Sequence, residues 1–126
     1  MKKYSKEEVI KLCKQCCEIM HEATLNGDYK ANNKAGEKLI KVFKYFENNR
    51  EFAMDCIEEL IKNDDNVVLK SKMAAFCLAL GENINEAEKI LYEISNKKEN
   101  GIFAFNAKMT LKVWKEEGFL KLYQEN

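Results

Sequence analysis

Cys13, Cys16 and Cys17, with His21 four residues beyond Cys17, are the residues whose types and spacing could do chemistry. Thiolates and an imidazole on neighbouring turns of one helix are soft ligands that would suit zinc or copper. The stronger reading is core packing. Cys13 and Cys16 fall on the apolar stripe Val9, Leu12, Cys13, Cys16, Met20 and Ala23, where cysteine behaves as a small hydrophobe. Adjacent Cys16 and Cys17 cannot point the same way, and structural zinc sites usually draw ligands from two elements. Nucleophilic catalysis would need a base held by an orienting group; His21, the only histidine, has no evident third partner. Paired acids such as Glu58-Glu59 and Glu116-Glu117 are adjacent and splay apart on a helix, and neither an Asp-rich metal loop nor a glycine-rich phosphate loop is present. The expectation is a non-enzymatic protein without metal or cofactor.

A second group of residues could bind rather than react. Glu51, Asp55, Glu58 and Glu59 recur at i, i+4, i+7 and i+8 and so share one helix face. Charge is unevenly spread around them. Residues 1–46 hold ten lysines against six acids, residues 47–66 seven acids against Arg50 and Lys62, and residues 67–126 nine lysines against eight acids. One explanation is a solvated face in a charge-rich composition; the other is an acidic docking surface for a basic partner, with electrostatically accelerated association. Tyr92, opposite the apolar stripe of its own helix, is the aromatic candidate for an interface anchor.

The elements that position these residues are helical throughout. The chain has 126 residues, no proline and five glycines, which leaves long helical patterns without the turn punctuation of a small β protein. Ser5 with Glu8 forms a capping box opening a first helix, Lys6 to Leu25, stopped at Asn26-Gly27. A second helix, Tyr29 to Glu47, carries Ala35, Leu39, Val42, Phe43 and Phe46 inward; a third, Arg50 to Lys62, carries Phe52, Cys56, Ile57, Leu60 and Ile61. The acids of Asn63-Asp64-Asp65-Asn66 are placed to cap a fourth, Val67 to Leu80, with Ala74, Cys77 and Leu78 inward. Asn83 with Glu86 reads as the cap of a fifth, ending near Asn96 with Ala87, Ile90, Leu91 and Ile94 on its stripe. In the sixth, Asn100 is placed to cap, Gly118 to terminate, and Phe103, Ala107, Thr110, Leu111 and Trp114 to pack, with Trp114 the largest anchor of the local core.

Ala followed four residues later by Leu recurs as Ala35/Leu39, Ala74/Leu78 and Ala107/Leu111, at offsets of 39 and 33 residues that lie in the range of helical-pair repeats. The predicted architecture is one all-α domain: a capping helix over residues 1–27, helix-pair repeats over 28–118, and a short tail over 119–126.

The residues Asn33-Lys34-Ala35 with Leu39, Ala74-Ala75 with Leu78, Glu86-Ala87 with Leu91, then Gly101, the block Phe105 to Trp114 and Gly118 resemble the small bacterial domain of unknown function numbered two-zero-one-nine. The resemblance covers Tyr29 to Gly118, and the block ending Ala107-Lys108-Met109-Thr110-Leu111-Lys112-Val113-Trp114 is its most specific part. Where members often show Asp-Pro before the fifth helix, this chain has Asn83-Ile84-Asn85. The resemblance implies a HEAT-like or armadillo-like right-handed α-α superhelix and no catalytic residues; its signature positions read as packing. Domains of this kind resemble immunity proteins encoded beside toxin genes, which makes a basic toxin domain the expected partner and a general protein adaptor the alternative.

Charge and lysine usage bear on the remaining classes. Formal charge is zero and Arg50 is the single arginine, so the lysine faces Lys34/Lys38/Lys41 and Lys108/Lys112/Lys115 are a weak electrostatic footprint for nucleic acid, which prefers arginine forks. There is no apolar run of 18 residues and no h-region behind the basic start, and five cysteines without a secretion signal fit reduced thiols in a cytoplasm.

Overall fold

The computed structural model describes residues 3–123, so the ends of the expected tail and of the basic start lie outside the described residues. The fold is all-α, with helices α1 (Lys6–Asn26), α2 (Tyr29–Glu47), α3 (Arg50–Asn63), α4 (Val67–Leu80), α5 (Ile84–Ser95) and α6 (Ile102–Glu117), and a 3₁₀ turn at Lys98–Asn100. Two compact units divide the chain, Met1–Leu69 and Lys70–Asn126, with the division falling within α4.

In the first unit α1 packs along α2, and both contact α3. The Ser5 capping box forms as expected: the Glu8 N–H donates to Ser5 Oγ at 3.1 Å and the Ser5 N–H donates to Glu8 Oε1 at 3.2 Å. Asp28 caps α2 by accepting from the Ala31 N–H at 3.1 Å. The core is Val9, Cys13, Cys16, Cys17 and Met20 of α1, Leu39, Val42, Phe43 and Phe46 of α2, and Ala53, Cys56, Ile57 and Leu60 of α3. Cys17 replaces Leu12 in the expected stripe of α1; Leu12 is only half-buried. The reason is geometric: a helix covered by two neighbours buries a wider arc than a single stripe, and the extra width falls on the Cys17 side. On α3, Ala53 joins the buried set, while Phe52 and Ile61 sit half-buried at its edges. Phe52 instead meets Tyr45 with ring centroids 5.6 Å apart, and Tyr45 meets Tyr4 at 5.1 Å, both in the edge-to-face geometry that ring quadrupoles favour.

The largest departure from the periodicity reading is α4. Val68 and Leu69 in the first unit, and Met73 to Leu78 together with Leu80 in the second, are all buried. Ala74, Cys77 and Leu78 are thus three members of a helix that is apolar nearly all round, the composition of a fully enclosed helix. Its N-terminus is capped by Asn66 rather than by an acid. Asn66 Oδ1 accepts from the N–H groups of Val68 at 2.8 Å and Leu69 at 3.2 Å, and Asp64 Oδ1 supports the turn by accepting from the Asn66 N–H at 2.8 Å.

In the second unit α5 packs along α6. Two expected caps are differently built. Asn83 takes φ 48°, ψ 42° and makes no side-chain cap bond; side-chain caps are typically made from the β region of the backbone, not from the left-handed one. Asn100 lies in the 3₁₀ turn and its Nδ2 donates backward to the Ile94 carbonyl at 3.0 Å, so it closes the end of α5 instead of opening α6. Gly101, at φ 54°, ψ −122°, takes the position before α6, a conformation that is costly for any residue with a Cβ. Gly118 ends α6 at φ 76°, its N–H bonded to the Trp114 carbonyl at 2.9 Å, as expected.

Candidate functional site

The thiols are the first candidates the fold places. Cys13, Cys16 and Cys17 on α1 and Cys56 on α3 are all buried in the first unit. Cys56, from a second element, was not part of the cluster read from the sequence. Burial pushes the Cys13 thiol up, and the neighbouring thiols of Cys17, Cys16 and Cys56 push it further. Burial also raises Cys16, against a smaller opposing pull from Lys38. Cys56 is pushed up to about 11, chiefly by burial, with Lys6 lowering it and Asp55 and Glu59 raising it. Both metal ligation and nucleophilic attack require the thiolate, which this environment opposes. Among the described residues no group of three His, Cys, Asp or Glu side chains is arranged to hold a metal ion. His21 is half-buried on α1.

The acidic face comes together as the spacing predicts. Glu51, Asp55, Glu58 and Glu59 are all exposed on α3, on the side away from the buried Ala53, Cys56, Ile57 and Leu60. One of the four is engaged: Lys6 Nζ of α1 lies 3.2 Å from Glu59 Oε1. The hydrogen bond and charge of Glu59, with a further contribution from Asp55, hold the Lys6 ammonium above its ordinary range. α1 therefore lends a cation to one edge of the face and offsets part of the repulsion that like charges create at i, i+4 spacing. Both ends of this pair are substantially in water, so its effect on stability is small.

Tyr92 belongs to α5 in the other unit and is exposed, as the stripe placed it. Its carbonyl accepts from Ser95 Oγ at 2.7 Å and from the Asn96 N–H at 3.1 Å, which are helix-end contacts that leave the ring outward.

The surface that periodicity missed is on α6. Its buried face is Phe103, Ala107 and Leu111. Trp114, expected as the principal anchor, is half-buried at the edge of that face, where its indole N–H donates to Glu88 Oε2 at 2.9 Å. Thr110 is also half-buried and turns its hydroxyl to the Asn106 carbonyl at 3.0 Å. On the other side Ile102 is 49% exposed, Phe105 61%, Met109 39% and Val113 41%. Phe105, Met109 and Val113 lie in the block read above as packing, and the structure corrects that: their side chains are out. The available signal was the run Ile102-Phe103-Ala104-Phe105, since consecutive apolar residues on a helix cannot all face one side.

Among the described residues no helix is long and apolar enough to cross a membrane. No protein-family model, no curated protein and no solved structure matches the chain.

Proposed function

We propose that the chain is a non-enzymatic protein-binding module, an immunity protein that neutralises a cognate bacterial toxin by direct contact in the cytoplasm, and that the toxin domain it covers is basic. The observation that carries this reading is the outward face of α3, where Glu51, Asp55, Glu58 and Glu59 are all exposed. The buried side of the same helix is apolar, and of the four carboxylates on the other side Glu59 meets Lys6 of α1, while the repulsion among the four is a small cost to the isolated helix. A toxin that acts on nucleic acid presents a cationic cleft, and a row of carboxylates is the chemistry that would occlude it and hasten the encounter. Tyr92 is a second, separate contact candidate in this reading, and the HEAT-like helix stacking implied by the family resemblance belongs to the same proposal.

The test is capture of a partner by the tagged chain from its own host, followed by charge reversal. One near-stoichiometric basic protein that is toxic when expressed alone is the expected catch. The triple variant Asp55→Lys, Glu58→Lys, Glu59→Lys should then slow association and weaken binding by at least about tenfold, the size of effect that reversing rim and core charges has at steered interfaces. Unchanged affinity in that variant would remove α3 from the interface.

A further inference from the structure

The exposed apolar residues of α6 are not scattered. At about 100° of rotation per residue, Ile102, Phe105, Met109 and Val113 fall within one quadrant of the helix, and they run most of its length. That quadrant lies nearly opposite Phe103, Ala107 and Leu111, so α6 is apolar on two sides while only one is covered. A continuous exposed stripe of this kind marks an interaction surface more often than single exposed hydrophobes do. The polar residues beside it are unequal. Lys112, Lys108 and Lys115, all exposed, follow one edge, and the other edge carries Asn106 and, at the end, Glu117.

We propose that this face of α6 docks an amphipathic helical segment of another protein, with apolar residues at i, i+3 or i+4 and i+7 and with carboxylates along the edge that meets Lys108, Lys112 and Lys115. The apolar stripe supplies the anchors, in the helix-on-helix mode of recognition. The one-sided lysine edge sets orientation and selects against basic segments. Self-pairing fits this edge poorly. An antiparallel two-fold places like edges together, lysine against lysine, and a parallel one offers the lysines a single carboxylate, Glu117. A lipid surface fits less well, because Glu116, which falls within the stripe itself, and Glu117 beside it would be pressed against an anionic interface.

This inference is independent of the acidic face on α3, and the experiment keeps the two apart. A random 16-residue peptide library is selected against the full-length chain, and the enriched peptides are titrated against wild type, Phe105→Ser, Val113→Ser, Lys112→Glu and the α3 charge-reversal variant, each verified as folded by circular dichroism. Enriched peptides should carry the apolar spacing with Asp or Glu on one side. Phe105→Ser should weaken them by about tenfold or more, as loss of an aromatic anchor does. Lys112→Glu should weaken them less and flatten the dependence on salt, and α3 reversal should leave them unchanged. Peptides with basic edges, peptides that bind Phe105→Ser as tightly as wild type, or failure to enrich any helical pattern would overturn the proposal. So would a dimer in sedimentation, or binding to phosphatidylserine vesicles, that Phe105→Ser abolishes.

Discussion

On α3 the residues opposite Ala53, Cys56, Ile57 and Leu60 are Glu51, Asp55, Glu58 and Glu59, whereas on α6 those opposite Phe103, Ala107 and Leu111 are Ile102, Phe105, Met109 and Val113. Both helices bury an apolar stripe, and water meets carboxylates on one and hydrocarbon on the other. Solvated charge gains its hydration whether or not the chain is folded, so the α3 face is nearly silent in stability. Exposed hydrocarbon forgoes about 25 cal/mol for every Å² that a neighbour could have covered. The two outward faces therefore differ in what would match them: a cationic surface for α3 and an apolar one for α6.

The sharpest way to break this comparison is to truncate one buried and one exposed residue of similar size. Leu60→Ala on α3 should cost roughly 2–5 kcal/mol, because its site is fully enclosed. Phe105→Ala on α6 should stay within about 0.5 kcal/mol, the range of surface substitutions. Urea unfolding monitored by circular dichroism checks both, and a large loss at Phe105 would mean that its ring is covered after all.

Alkali probes the buried side of α3, together with α1, next. Cys13 and Cys56 titrate above the ordinary thiol range in the folded chain, so the folded state favours their protonated forms. That contribution is complete below the unfolded thiol value of 9.0 and is lost as pH rises through about 11, the value for Cys56. Stability measured from pH 8 to 11 should fall, and a Cys13→Ala, Cys56→Ala variant should fall less steeply. An equal slope would show that the thiols do not sense their burial.

Smaller effects refine the edges of the two stripes. Trp114→Phe keeps most of the ring but removes the donor to Glu88, with an expected loss of about 1 kcal/mol, readable as a shift in urea midpoint that Glu88→Ala should reproduce. Smallest is Lys6→Met: the ion pair with Glu59 is exposed, so the unfolding midpoint should not move measurably, while the α3 face becomes more acidic. A basic partner should then bind the variant at least as tightly as wild type.

How far the sequence could be read follows from the same two helices. Periodicity placed the acidic face of α3 correctly because charge and hydrocarbon sorted to opposite sides, which leaves one arrangement open. On α6 spacing found the packed side, Phe103, Ala107 and Leu111, and it was the resemblance block from Phe105 to Trp114, read as packing throughout, that misassigned Phe105, Met109 and Val113 on the other side. α4 defeats periodicity itself, since a helix with no polar side has no stripe to find. Caps failed where backbone geometry decides: Asn83 and Asn100 are the right residue types, but one takes a left-handed conformation and the other bonds backward to Ile94. Cys56 joined the thiols of α1 only through tertiary packing, which a run of neighbours along one helix cannot reveal.

The enclosure of α4 has a consequence for the chain before it is folded. From Met73 to Leu80 it reads Met-Ala-Ala-Phe-Cys-Leu-Ala-Leu, eight residues with neither charge nor proline, an apolar run prone to non-specific association while it is uncovered during folding. Lys70 and Lys72 on one side and Glu82 on the other then act as gatekeepers, interrupting the run at both ends. Replacing Lys70 and Lys72 with neutral residues should raise the yield of inclusion bodies, so these two side chains act on the chain during its synthesis, whatever they contribute once it is folded.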